Sequence, residues 1–558
     1  MTTAQALVRC LELEKVTTVF GYPGAAICPF YDELSKSDKI THVLVRHEAN
    51  AGHAASGMAR ITGAPAVCCA TSGPGALNLI TAIATAYMDS IPIVAITGQV
   101  CTDQIGKDVF QEADTTGAVE PFVKHSFLVK DAKCLPETVK KAFYIAAKGR
   151  PGPVLIDVPF DILNTELDEL VYPDTIDIRG YKPSVQGNCL QIKRVVESIA
   201  EASRPLICAG GGLFSGNGIA AELMQKVAER ANIPVVNTMM GIGCLPCEHK
   251  LSLGMIGMHG KAIANRALND CDLLILFGAR INDRAILAMN RGEICGENGG
   301  SQYEANPLKI IHVDVDPAEI GKNVKVAVPV VGDLTAVLEQ VLEQLQPKTH
   351  TEWTAYLSGT ATALELRKNK RKKPDVGCNP QKLIQTLNKL MPTETVVVAD
   401  VGQNQIWTAG NITVADGGRF MTSGGMGTMG YSVPCAIGVK KAQPAREVIA
   451  ICGDGSFQMQ MAELATAVQH GINIKIVIMV NNRLGMVREL QELKYGGNTT
   501  AVELDGNPDF VKLAAAYGID GEWIERDNEI DKALIALLAS KKPHVLAVRV
   551  DENERTLL

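Results

Sequence analysis

The chain has 558 residues, 46% hydrophobic and 21% charged, and its 54 Lys and Arg stand against 61 Asp and Glu for a net charge of −7. At ~150 residues per domain this length predicts three or four domains with cores of their own, and the composition excludes disorder and collagen-like repeats. No basic field favours nucleic acid or an anionic membrane, and no apolar run reaches the ~18 residues of a membrane helix, so neither partner is expected.

In chain order, residues 1–16 place Val8, Leu11, Leu13 and Val16 at helical spacing with charges between them. They lack the unbroken apolar core and small-residue cleavage site of a signal peptide, so the chain is expected to be cytoplasmic, or already processed. Three segments then alternate short apolar runs with amphipathic stretches, the pattern of βαβ units. The first covers 1–180, with strands predicted at 17–21, 66–70, 93–97 and 154–158, and residues 181–188 read as a connection. The second covers 190–345, with strands at 205–209, 234–237, 273–277 and 309–314. Residues 346–377 read as a linker ending in the basic run 367–373. The third segment covers 378–558, with strands at 395–399, 447–452, 474–479 and 545–550. The expected fold is α/β, with three doubly wound parallel-sheet domains. The fifteen cysteines are scattered through apolar runs and read as small buried hydrophobes. Cys244 and Cys247 form a CxxC, which fits a redox pair or half a zinc site, but no second CxxC or His pair stands at finger spacing and the pair reads as incidental.

The most informative stretch is an apolar run ending in Gly453, Asp454, Gly455 and Ser456, followed by a second apolar run ending in Asn481 and Asn482. One βαβ crossover brings two such strand ends side by side, at the sheet edge where ligands bind. Asp454 and Asn481 then offer two hard oxygen ligands to Mg²⁺, which completes its shell with water and substrate phosphate. The glycines permit close approach of a diphosphate to backbone N–H groups at a helix start. A plain turn explains Gly-Asp-Gly alone; the strand context and spacing point to phosphate and metal.

This pairing is similar to the fingerprint of thiamine-diphosphate enzymes. That resemblance implies a first-domain glutamate, and Glu48 follows an apolar run and opens a Gly/Ala-rich stretch. A carboxyl in so apolar a setting is expected to have a raised pKa; the alternative is a helix N-terminal glutamate favoured by the dipole alone. His47 and His53 do not make HExxH, so a zinc protease is not supported.

Further stretches resemble the catalytic subunit of the acetohydroxyacid synthase (acetolactate synthase) family: 20–26 (FGYPGAA), 71–78 (TSGPGALN), 110–114 (FQEAD), 149–154 (GRPGPV), 254–260 (GMIGMHG), 277–284 (FGARINDR), 314–320 (DVDPAEI), 424–430 (GGMGTMG) and 484–488 (LGMVR). Their order and spacing carry the resemblance over nearly the whole chain. It implies that Glu48 hydrogen-bonds the aminopyrimidine of thiamine diphosphate, and that Asp454, Asn481 and the Arg483 carbonyl hold Mg²⁺. Met429 would wedge the cofactor into a bent form, although a methionine is also ordinary core filler. Gly402, Gln403 and Asn404 would meet the diphosphate, and Phe110 and Gln111 would line the reaction pocket. Pro23, Gly24, Asn78, Gly427, Gly453, Gly455, Ser456, Leu484, Gly485 and Met486 complete the implied cofactor-binding set.

In the middle domain the resemblance implies FAD without net redox work. Arg150, Thr238, Met258, His259, Gly278, Arg280, Arg284, Asp314 and Asp333 match its contact positions. Gly210, Gly211 and Gly212, after a strand, would carry a phosphate or merely turn the chain, and Arg280 and Arg284 would otherwise be surface salt-bridge residues. The implied reaction decarboxylates pyruvate and joins the remaining two carbons to a second 2-keto acid, giving 2-acetolactate for branched-chain amino acid biosynthesis. The implied assembly is a homodimer or tetramer with a possible small regulatory subunit. Rival readings are a lyase or decarboxylase acting on another 2-keto acid or dione, a flavin oxidase, and a non-catalytic scaffold; a nicotinamide dehydrogenase is weaker, because no clean GxGxxG opens a domain. Four departures stand out: Phe160 replaces a usual lysine, Leu490 replaces a usual tryptophan, residues 289–307 replace a shorter segment, and the end of the chain, 551–558, lacks a proline-containing tail.

Overall fold

The computed structural model describes residues 1–216, 218–282, 308–367 and 377–556. Arg284, the 289–307 loop and most of the basic run 367–373 lie outside the described residues. Three six-stranded sheets follow one another along the chain. The first contains β1 (Thr18–Gly21), β2 (Thr41–Leu44), β3 (Ala66–Ala70), β4 (Ile93–Gln99), β5 (His125–Leu128) and β6 (Val154–Pro159). The second contains β7 (Pro205–Ala209), β8 (Val235–Asn237), β9 (Ser252–Met255), β10 (Leu273–Phe277), β11 (Lys309–Asp314) and β12 (Val328–Val331). The third contains β13 (Val396–Ala399), β14 (Arg419–Met421), β15 (Val448–Gly453), β16 (Lys475–Val480), β17 (Asp520–Ile524) and β18 (His544–Arg549).

All neighbouring strands pair in parallel. A parallel sheet is covered on both faces, so inner strands read as unbroken apolar runs. Leu273–Phe277 is buried throughout, and so is Lys475–Val480. Predicted and observed inner strands agree within two residues at each end. The strands without a clear sequence signal, β5, β9, β12, β14 and β17, are all sheet edges.

The strand orders are β2-β1-β3-β4-β6-β5, β12-β11-β10-β7-β8-β9 and β14-β13-β15-β16-β18-β17. Counted from its own first strand, the third sheet repeats the order of the first. The middle sheet has the 3-2-1-4-5-6 order of dinucleotide-binding folds. The order reverses between β1 and β3, between β7 and β10, and between β13 and β15; in the first and third sheets the last two strands are also interchanged.

The first and third domains share one core, in which Phe20 and Ala55 lie with Val398, Cys435 and Ile476. At its centre helix Glu48–Thr62 crosses helix Ser432–Ala442. The helices approach so closely that a Cβ on Gly57 would stand 2.1 Å from the Cys435 carbonyl oxygen, and one on Gly438 would stand 1.8 Å from that of Ala54. Gly57 meets Cys435 while Ala54 meets Gly438, so the helices run antiparallel. At 1.5 Å rise per residue, Glu48 and Met429 lie roughly 20 Å apart at opposite ends of the pair.

The segment read as a linker contains helix Thr351–Arg367. Trp353 and Leu357 are buried beside Leu206 and Leu274, and the Trp353 indole donates to the Pro205 carbonyl at 3.0 Å. Two apolar anchors in a long polar stretch are too few to register as periodicity. Cys244 and Cys247 are free thiols; the Val414 N–H donates to the Cys247 sulfur at 3.4 Å. Among the described residues no helix is long and apolar enough to cross a membrane.

Gly438→Ala and Gly57→Ala force backbone apart rather than a flexible side chain. Each is expected to cost about 3 kcal/mol or more in urea unfolding. Gly359→Ala, a helical position with nothing within 4 Å, is expected to leave the midpoint unchanged or raise it.

Candidate active site

At the first sheet's reversal, the segments after β1 and β3 converge. A Cβ on Gly24, which follows Pro23, would stand 2.5 Å from the Thr71 methyl, and one on Gly75 would stand 2.8 Å from the same methyl and 3.3 Å from Glu48 Oε1. Helix Glu48–Thr62 begins here because His47, in extended conformation, caps it: its Nδ1 accepts from the Ala49 N–H at 3.2 Å. Glu48 therefore occupies the positive end of a helix dipole. The Asn78 amide donates to Glu48 Oε2 at 3.0 Å. Asn78 belongs to helix Pro74–Asp89, which Pro74 opens at a position that needs no N–H. Gly73, at φ 58°, lies against the backbone of Gln111, where an added Cβ would stand 2.9 Å from its carbonyl oxygen. The loop carrying Phe110 and Gln111 thus meets the same edge; Phe110 is 87% exposed and Gln111 takes a left-handed φ of 59°. Glu48 is half-buried. The apolar enclosure expected around it is absent within one chain, because Glu48 stands at the sheet edge and not under it.

The third domain builds a second group at its own reversal. Asp454 Oδ2 accepts from the Asn482 N–H at 2.7 Å and from the Asn507 amide at 2.9 Å, and its Oδ1 accepts from the Gly455 N–H at 3.0 Å. Burial pushes this carboxyl above the usual range, and no Lys or Arg pairs with it among the described residues. A buried carboxylate held only by neutral donors is suited to a cation. Asn481, at the end of the adjacent strand β16, donates its amide to Gln403 Oε1 at 2.7 Å, and its own oxygen accepts from the Arg483 N–H at 3.3 Å. Gln403 donates in turn to the buried Glu489 and to the Glu554 carbonyl. Gly485 makes room for this amide: its Cβ would stand 1.8 Å from Gln403 Oε1.

The half-buried Met429 reaches Gly455, where an added Cβ would stand 3.7 Å from its methyl and 2.9 Å from Leu484. Gly427 takes a φ of 69° with nothing near its α-carbon, and Met486 is half-buried on helix Gly485–Lys494. The Ser456 hydroxyl accepts from the Gly453 N–H at 3.2 Å. Arg483 points its side chain to Glu503 and Glu552. The Asn404 side chain is held by backbone groups. Its amide donates to the carbonyls of Asp400 and Ile451, and its oxygen faces Gly402 and Gly453, so its donor end is unavailable to a diphosphate.

Sequence reasoning missed the groups that hold the Met429 loop. The fully buried Asp400 accepts from the Gly430 and Ser432 N–H groups at 2.9 and 2.8 Å. Asp89, whose side chain is buried, accepts from Gly425 N–H at 2.7 Å and Gly424 N–H at 3.3 Å and pairs with Arg60. Asn507 was missed as well. Isolated acids and amides of this kind carry no motif.

In the middle domain the N–H groups of Gly210 and Gly212 donate to the carbonyls of Phe277 and Gly278 at 3.0 and 3.1 Å. Added Cβ atoms would meet Gly278 at 2.0 and 2.9 Å. These glycines let two loops touch at the reversal, leaving Gly211 as the one triplet member not spent in this way. Arg150 bridges domains, donating to Ser90 and to Asp316 and Glu319. Arg280 is half-buried and faces Arg150, Asp89, Glu319 and Asp314, so it is no exposed salt-bridge residue. Burial pushes Asp314 up to about 6. Thr238 opens the turn Met239–Gly241, and Met258, beside His259, is 51% exposed. Asp333 caps helix Leu334–Gln344, its Oδ1 accepting from the Thr335 and Ala336 N–H groups, which commits that oxygen to backbone.

Comparison with known proteins identifies three family models in order: the thiamine pyrophosphate enzyme N-terminal TPP binding domain over residues 1–118, the central domain over 192–341 and the C-terminal TPP binding domain over 400–548. The chain is 43% identical over 562 residues to the probable acetolactate synthase large subunit of Methanocaldococcus jannaschii, covering 99% of this chain and 93% of that one. It is 44% identical over 540 residues to the acetolactate synthase of Mycobacterium bovis, covering 95% and 85%. It is 43% identical over 543 residues to the acetolactate synthase large subunit of Corynebacterium glutamicum, covering 96% and 84%.

Gly485→Ala displaces the far end of Gln403, so the fold is expected to survive within about 1 kcal/mol. Asn481 loses its anchor, and calorimetric affinity for thiamine diphosphate with Mg²⁺ is expected to fall about tenfold or more.

Proposed function

The chain belongs to the family of acetolactate synthase large subunits, built on thiamine pyrophosphate enzyme domains, and from that premise we propose that it joins two 2-keto acids with loss of CO₂. Pyruvate loses its carboxylate, and the remaining two-carbon unit bonds to the carbonyl of a second pyruvate to give 2-acetolactate. Thiamine diphosphate, when bound, supplies the electron sink that accepts the electron pair as CO₂ leaves. Asp454 at the end of β15 beside Asn481 at the end of β16, flanked by glycines that admit an anion, is the observation that carries the reading.

The chain's own residues do the rest. Asp454, the Asn481 oxygen and the Arg483 carbonyl would hold Mg²⁺, and the N–H groups around Gly453–Gly455 would face the diphosphate. Glu48 would exchange a proton with the aminopyrimidine. Asn78 occupies its Oε2, which leaves Oε1, beside Gly75, free for that exchange. Met429 would bear on the cofactor from the side of Gly455. Phe110 and Gln111 would form the mouth of the pocket, where Phe160 and Leu490 offer apolar surface, 38% and 46% exposed. Neither side chain provides a cation or an indole, which fits pyruvate itself as acceptor rather than 2-ketobutyrate.

Glu48 and Met429 stand at opposite ends of the crossed helices, too far apart to grip one cofactor. This supports a homodimer in which each site takes Glu48 from one chain and Asp454 and Met429 from its partner. The middle sheet's strand order, with Arg150 and Arg280 at one edge, supports a bound, non-redox FAD. The large-subunit names of the relatives support a small regulatory partner, and the biosynthetic reaction fits the cytoplasm.

Incubation with thiamine diphosphate, Mg²⁺ and pyruvate alone is expected to release one CO₂ per acetolactate formed. Release of CO₂ without acetolactate would contradict the reading. Glu48→Gln is expected to lower kcat by about 100-fold or more while cofactor affinity changes less than about threefold.

A further inference from the structure

One buried titratable group plays no part in this mechanism. Asp157, on β6, is 1% exposed and stands opposite Thr97 in the β4–β6 register. Its Oδ1 accepts from the Thr97 hydroxyl at 2.7 Å and its Oδ2 from the Gln99 amide at 3.0 Å. The Gln99 side chain, 4% exposed, uses its second amide hydrogen on the Ala113 carbonyl at 2.7 Å, and its oxygen accepts from the Val100 N–H at 2.9 Å. Val100 and Ala113 are the two ends of the loop that carries Phe110 and Gln111. A single side chain therefore ties both ends of that loop, and each of its polar atoms is committed.

The orientation of Gln99 decides whether the tie exists. With the amide turned over, its oxygen would face both the Ala113 carbonyl and the Asp157 carboxylate, acceptor against acceptor. An ionised Asp157 accepts only, so it selects the orientation that ties the loop. Burial pushes Asp157 up to about 7, while its bonds from Thr97 and Gln99 favour the ionised form. The groups that face it are Thr97 and Gln99 from β4, Leu128 from β5 and Asp114 at the head of helix Thr115–Val119. Two neighbouring bonds act in the same sense: Asp161 accepts from the Thr102 N–H at 3.0 Å and from its hydroxyl.

We propose that Asp157 is a positioning residue, which by orienting the Gln99 amide ties Val100 to Ala113 and sets where Phe110 and Gln111 stand. The consequence for substrate rests on the reading that these two residues line the reaction pocket; the tie itself does not.

Chymotrypsin separates the two statements. Phe110 is 87% exposed in the loop, and Tyr495, 63% exposed in another domain, serves as internal reference. In the holoenzyme, Gln99→Met is expected to raise cleavage after Phe110, relative to Tyr495, about fivefold, the change that loss of one hydrogen bond produces in local opening. Asp157→Ala is expected to match it. Asp157→Asn, which keeps an acceptor oxygen, is expected to restore most of the protection. With the tie lost, KM for pyruvate rises about fivefold, kcat changes less than about twofold, and affinity for thiamine diphosphate is unchanged. Unchanged cleavage in Gln99→Met overturns the tie whatever the activity. Faster cleavage with unchanged KM keeps the tie and overturns the placement of Phe110 and Gln111 at the pocket.

Discussion

The crossing of helices Glu48–Thr62 and Ser432–Ala442 is the constraint on which the arrangement of the active groups depends. Gly57 and Gly438 let the two backbones approach where any Cβ would collide with a carbonyl oxygen. The contact merges the cores of the first and third domains. It also carries polar groups that are satisfied only in this geometry, such as the Ser56 and Tyr431 hydroxyls at 2.9 Å. Each helix has a functional group at its N-terminal end: Glu48 on one, and Met429 just before the other.

Antiparallel packing sends those two ends apart. The same chain that brings its two domains into one core therefore keeps its own Glu48 away from its own Met429. Helix Pro74–Asp89 reinforces the arrangement, since Asn78 near its start bonds Glu48 and Asp89 at its end holds Gly424 and Gly425, next to the Met429 loop. In a pair of chains, this one helix would touch the Glu48 of one site and the Met429 loop of the other. The middle domain joins the cluster through Arg280, which faces Asp89.

Much of this was legible in the sequence, for physical reasons that also mark the limit. Inner strands such as β10 and β16 are buried on both faces and read as unbroken apolar runs. Edge strands such as β5 and β17 are half-exposed and read as loop. Asp454 and Asn481 were legible because each ends an inner strand. Asp400, Asp89 and Asn507 were not, because their partners stand far along the chain and a lone acid has no pattern. Residue matching also says nothing of orientation. Asn404 and Asp333 fall at expected positions, yet one gives its donors to backbone carbonyls and the other caps a helix. The Gly210–Gly212 triplet stands where a phosphate turn was expected, but two of its N–H groups hold the neighbouring loop.

The central claim is that every active site takes its glutamate and its metal ligands from different chains. Co-expression of two inactive variants, Glu48→Gln and Asp454→Ala, measures this directly. A mixed pair has one site with both residues intact and one with both lost, so random pairing predicts about a quarter of the wild-type rate of acetolactate formation. Sites contained within single chains would give no recovery at all.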